Sequence, residues 1–95
     1  MIVVSVRLDG ITIDGHAGYA EPGKDIVCAG VTALTETLIQ SMENLTIDKI
    51  TYNIIPGRAD IRFKNLSEKG KLLVDSFFTG ICLIADDFPD YVKIS

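Results

Sequence analysis

Apolar and polar side chains alternate along the first stretch of the chain. Ile2, Val4, Val6 and Leu8 fall on one side and Val3, Ser5 and Arg7 on the other, the period of two expected of a strand with one buried face. Asp9-Gly10 follows, a strong two-residue hairpin signal. Ile11 to Ala17 reads as the return strand, with Ile11 and Ile13 on the apolar side and Thr12, Asp14 and His16 on the polar side. From Ala17 to Lys24 the pattern lapses. Gly18, Pro22 and Gly23 break any regular element and Tyr19 is the sole apolar anchor, which predicts a mobile loop. The period then changes: Val27, Val31, Leu34, Leu38 and Met42 recur at spacings of four and three, the stripe of a helix opening at Asp25 and running to about Glu43 or Asn44. Gly30 within it predicts a close contact on that side.

The second half follows the same order. Ile50, Tyr52 and Ile54 alternate with Lys49, Thr51 and Asn53, Pro56-Gly57 turns the chain, and Ala59, Ile61 and Phe63 alternate with Asp60, Arg62 and Lys64. Ser67 caps a helix to about Ala85, with Leu73, Phe77, Ile81 and Ile84 inward. Asp86-Asp87-Phe88-Pro89 ends it, since a proline disfavours helix at the residue before it, and Tyr91 to Ile94 reads as a last strand. The order β-β-α-β-β-α-β predicts a single α+β domain over residues 1–95, a largely antiparallel sheet with two helices packed on one face. The other face, with Ser5, Arg7, Thr12, Asp14, Thr51, Asp60, Arg62 and Lys64, is expected to be solvated.

Composition narrows the function classes. At 47% hydrophobic and 23% charged residues the chain can build a packed core. A net charge of -4, from 9 Lys+Arg and 13 Asp+Glu, provides no basic footprint for nucleic acid; it suits a basic partner, or simply solubility. The N-terminal apolar run lacks a basic leader and breaks at Arg7 and Asp9, so neither a signal peptide nor a membrane span is expected and the expected location is the cytoplasm. Both cysteines are then expected as reduced thiols. One histidine and two cysteines show no zinc-ligand spacing, and Asp86-Asp87 has no further ligand near, so no metal or other cofactor is expected.

Candidate chemistry gathers between Gly15 and Gly30. With Asp25 as cap, Cys28 is the third helical residue, among backbone N–H groups that have no partner within the helix. A helix N-terminus carries about half a positive charge, which favours a thiolate, and its free amides can hold an oxyanion. The capping carboxylate acts the other way, since it occupies one donor and opposes an anion. Cysteine is also often a small buried hydrophobe. His16 is the one side chain suited to general-base work near neutral pH, although a lone strand-end histidine is commonly structural. The pleat makes a demand here. Pairing across Asp9-Gly10 sets His16 opposite Val3, away from the helices, so the strand must stop or bulge at Gly15 for His16 to meet Cys28. Asp25 and Asp14 are candidate partners for the imidazole, with capping and solvation as their other roles. Thr32, one turn beyond Cys28, can offer its hydroxyl to the sulfur, to a substrate or back to the Cys28 carbonyl. Cys82, between Ile81 and Leu83, reads as packing.

These residues carry a resemblance. Gly15-His16-Ala17, a short loop, then Asp25-Ile26-Val27-Cys28-Ala29-Gly30-Val31-Thr32-Ala33-Leu34 is similar to the ribosomal-processing cysteine protease family, Prp. The resemblance implies a Cys-His dyad with Cys28 as nucleophile and His16 as general base. It makes Asp25 the acidic residue at the helix start and Gly15 the glycine before the histidine, and it puts Thr32 where members often have serine. The loop containing Ala17, Gly18, Tyr19 and Gly23 would be a flap over the substrate, stiffened by Pro22. It further implies a homodimer that removes a short N-terminal extension, cut beyond an aromatic pair, from a large-subunit ribosomal protein, number twenty-seven in that series; the negative charge suits such a basic substrate. Two other readings stand beside it: a non-catalytic ribosome-associated interaction domain in which His16 and Cys28 are structural, and a thiol redox sensor using Cys28, with Cys82 the sole candidate resolving cysteine.

Overall fold

Two hairpins, each followed by a long helix, and a short closing strand make up the computed structural model, which describes residues 1–95. The elements are β1 (Ile2–Arg7), β2 (Gly10–Asp14), α1 (Ile26–Leu45), β3 (Ile50–Ile55), β4 (Arg58–Phe63), α2 (Glu68–Asp87) and β5 (Val92–Ile94). The α+β order read from the pattern is the one observed. The strands form one sheet in the order β3-β4-β2-β1-β5. Every neighbouring pair is antiparallel except β1 with β5, which runs parallel. Val4, Ile11, Ile61 and Val92 from the sheet, Val27, Val31 and Met42 from α1, and Phe77 and Ile81 from α2 meet in one buried core. Gly30 makes the close contact expected of it: a Cβ there would lie 3.2 Å from Ile84 Cδ1 on α2. No helix is long and apolar enough to cross a membrane.

The first hairpin turns one residue earlier than the dipeptide signal implied. Arg7 pairs with Gly10 and Val3 with Asp14, so the turn is Leu8-Asp9 and Leu8 is 99% exposed rather than inward. Gly10 is needed inside the ladder because a Cβ there would sit 2.5 Å from the Ile61 carbonyl oxygen of β4; a side chain would force the two strands apart. Ser5, expected in solvent, is 7% exposed, its short side chain lying mid-sheet opposite Thr12. Tyr52 and Ile54 depart in the other sense. They alternate as inward residues should, yet both are about half exposed, on a strand that lies at an edge of the sheet.

Capping fixes where each helix starts. Asp25 accepts from the N–H groups of Val27 and Cys28, and Ser67 Oγ accepts from Gly70 N–H. Asp48, on the linker after α1, accepts in turn from the Ser67 N–H and hydroxyl. Those bonds, the Ser67 N–H first, hold its carboxyl below the ordinary carboxylate range.

Candidate active site

β2 ends at Asp14, and the residue that ends it is Gly15. Its φ of +99° is open to glycine and strained for any side chain. Space closes the position as well: a Cβ would lie 2.2 Å from the Met1 carbonyl oxygen. Gly15 N–H donates to the Gly57 carbonyl at 2.7 Å, and the Met1 nitrogen donates to the His16 carbonyl. The chain is thus clamped between the start of β1 and the β3–β4 turn. The pairing that set His16 opposite Val3 is replaced by Val3 with Asp14, and the expected return strand to Ala17 stops three residues short. The break demanded at Gly15 is present.

Beyond the break, consecutive residues face opposite ways. His16 is exposed and its imidazole lies over Gly57: a Cβ on Gly57, where φ is +78°, would be 2.8 Å from His16 Nε2. Ala17 is 4% exposed and belongs to the core. Its N–H donates to Cys28 Sγ at 3.5 Å.

Cys28 is the third residue of α1 and half-buried. Two amides of the helix end are already engaged: Asp25 Oδ1 accepts from Val27 N–H at 3.0 Å and from Cys28 N–H at 2.9 Å. Asp25 Oδ2 accepts from the loop, from Tyr19 N–H at 3.0 Å and Ala20 N–H at 3.4 Å. The Cys28 N–H above all, joined by those of Ala20, Tyr19 and Val27, holds the Asp25 carboxyl below its ordinary range against the opposing effect of desolvation. Asp25 therefore ties the loop to the helix and does not bond the imidazole. Asp14 does not either, being paired with Arg58.

The loop is better anchored than its composition implied. Besides the Asp25 bonds, the Tyr19 ring stands edge-on to Phe88 and Tyr91, with centroids 5.4 and 5.2 Å apart. Both partners lie about seventy residues downstream in the chain, beyond the reach of local patterning. Gly18 and Gly23 line the open space beside Cys28, whereas the Tyr19 ring is turned away from it.

A cavity of about 150 Å³ joins the parts. His16, Cys28 and Thr32 line it from the first half, and Ile54, Ile55 and Arg58 from the second hairpin. Thr32 and Thr35 both lie on its wall, and the Thr35 hydroxyl donates back to the Val31 carbonyl at 2.8 Å. The sequence pattern alone places no candidate site residue on the second hairpin. Its Pro56-Gly57 turn was legible, but its place beside His16 follows from β4 pairing with β2. Cys82, on α2, is half-buried and a free thiol, as Cys28 is.

A half-buried thiol with a backbone N–H aimed at it, and a histidine on the wall of the same cavity, are the parts of a thiol hydrolase. Residues 1–93 match the family model of cysteine protease Prp. The chain belongs to the cysteine protease Prp family. Its activity class is that of a cysteine protease, in a family named for ribosomal processing. A ribosomal processing cysteine protease Prp from Staphylococcus aureus is 24% identical over 92 residues, covering 94% of this chain and 87% of that one. The counterpart from Bacillus subtilis is 26% identical over 88 residues, covering 85% and 79%. In structure, the chain resembles the S. aureus Prp crystallised with a covalently linked product peptide, with a TM-score of 0.95, 23% identity and coverage of 100% and 98%. A Streptococcus mutans crystal structure matches with a TM-score of 0.78, 27% identity and coverage of 99% and 88%.

Asp25→Asn separates the two jobs of this carboxylate. An amide keeps one oxygen for the helix amides but sets an NH2 against the Tyr19 and Ala20 donors. Amide exchange at Tyr19 and Ala20 is expected to rise while α1 stays protected. The pH dependence has a defined sign. The carboxyl is depressed in the folded state, so its stabilisation is complete above about pH 4–5 and is lost as pH falls through the folded value. The Tm difference between wild type and Asp25→Asn is expected to be constant at neutral pH and to shrink below about pH 4. A difference that persists unchanged at low pH would contradict this.

Proposed function

We propose that the chain is a single cysteine-protease domain that removes a short N-terminal extension from a large-subunit ribosomal protein, number twenty-seven in that series, using Cys28 as nucleophile and His16 as general base. The observation that carries the reading is the meeting of Cys28, Thr32 and His16 on one cavity, from a helix N-terminus and a broken strand. His16 takes the thiol proton, Cys28 Sγ attacks the scissile carbonyl, and the imidazolium returns the proton to the leaving amine; water then releases the acyl group by the same path in reverse. Ile54 and Ile55 supply an apolar wall for the aromatic residues before the cut. The loop over residues 17–24 covers the peptide, held at its root by Asp25. Relatives of this fold from S. aureus are seen with a covalently linked product peptide and with a substrate peptide, in keeping with an acyl-enzyme route. The protein is read as a cytoplasmic homodimer with no nucleic-acid, membrane or cofactor requirement.

The test is intact-mass spectrometry. The ribosomal protein bearing its extension is mixed with this protein and acid-quenched at intervals. The expected result is a shortened product with a transient acyl adduct on the protease. An extension left intact at equimolar protease would defeat the assignment.

A further inference from the structure

We propose that the main-chain N–H of Ala17 is the donor that carries the developing negative charge of this site, first on the Cys28 sulfur and then on the carbonyl oxygen under attack. The inference rests on the reading of Cys28 as nucleophile and names the group that serves it. A helix N-terminus would ordinarily supply these donors. In this chain the Val27 and Cys28 amides are bound by Asp25 Oδ1, at 3.0 and 2.9 Å, and already serve an anion. The Ala17 N–H, in contrast, is directed at Sγ from 3.5 Å.

That N–H is held from several sides. The Ala17 methyl is packed in the core, and the preceding carbonyl, in the same peptide unit, accepts from the Met1 nitrogen. A hydrogen bond at the carbonyl end polarises the N–H end, so the donor is strengthened as well as positioned. The Gly-His-Ala triplet then divides its work. Gly15 makes the turn, His16 presents the base outward, and the small buried Ala17 fixes a donor inward. In the chemical step, Cys28 Sγ–H loses its proton to His16, the S–C bond forms, and the carbonyl π pair moves onto oxygen. The Ala17 N–H passes from the sulfur lone pair, now used in bonding, to that oxygen. Collapse restores the C=O and expels the amine, protonated by the imidazolium.

The experiment uses the uniformly 15N-labelled protein and a peptide aldehyde ending in an aromatic residue, which forms a tetrahedral hemithioacetal with an active thiol. The Ala17 amide proton is expected to show the largest downfield displacement of any amide in residues 15–30. If an α1 amide at residues 26–28 moves most and Ala17 stays put, the helix end is the oxyanion site and the proposal is overturned. If no adduct forms on Cys28, the nucleophile assignment itself fails and the proposal falls with it, an outcome distinct from the first. A second measurement removes the donor directly. Ligation at Cys28 allows an ester to replace the amide at residue 17, with an ester at Gly18 as control. The residue-17 ester is expected to lower kcat by about 10²–10³-fold with KM within about threefold. Equal kcat for the two esters would overturn the proposal.

Discussion

In a steady-state assay on a peptide spanning the cleavage site, Cys28→Ala is expected to lower kcat by on the order of 10⁴–10⁶-fold and to leave no acyl adduct. His16→Ala is expected to lower it by about 10²–10⁴-fold, the usual worth of a positioned general base. The double variant should be no worse than Cys28→Ala, because a base with no thiol to deprotonate contributes nothing; residues that act as one unit are not additive. Folding should survive both changes. Cys28 is half-buried and its sulfur only accepts a hydrogen bond, and His16 is an exposed side chain resting on a turn. Because that face is open, added imidazole should restore part of the activity of His16→Ala and none of that of Cys28→Ala. Multiplicative losses in the double variant would show that the two side chains do not work on the same step.

Gly15→Ala is expected to be the most damaging glycine substitution near the site, in stability as well as activity. The new Cβ would lie 2.2 Å from the Met1 carbonyl oxygen at a φ of +99°; Gly15 is held by its bond to the Gly57 carbonyl, and Met1 by its bond to the His16 carbonyl and the adjoining Ile2 to Tyr91 bond. A cost of about 2–3 kcal/mol follows from the strain, a Tm lower by roughly 8–24 °C for a domain of this size. Gly18→Ala is the control. Its φ is also positive, at +68°, but nothing lies within 4 Å of its Cβ position, so only the left-handed backbone term remains, about 1 kcal/mol. Thermal denaturation of the two variants, with kcat measured well below both midpoints, separates strain from clash. Similar Tm values would refute the close-contact argument. The consequence for catalysis is geometric. Gly15 sets both the outward base and the inward donor, so moving it misplaces two groups together.

The order of elements, both caps, the inward stripes of both helices and the requirement for a break at Gly15 were determined by the sequence alone. Each is a local property, readable from a period of 2 or 3.6 residues or from what one side chain can do at a helix end. The helix-end reading already contained the conflict between a capping Asp25 and an oxyanion at the same amides. Tertiary structure decided the rest. The turn moved to Leu8-Asp9 because Gly10 must pass under a β4 carbonyl. The loop gained its anchor from Phe88 and Tyr91. Ile54, Ile55 and Arg58 reached the cavity because the sheet order sets β4 against β2. Alternation tells which side of a strand is buried and is silent about which strand lies next to it. Strand adjacency is set by pairing between distant segments, and so is the identity of the donor that faces Cys28.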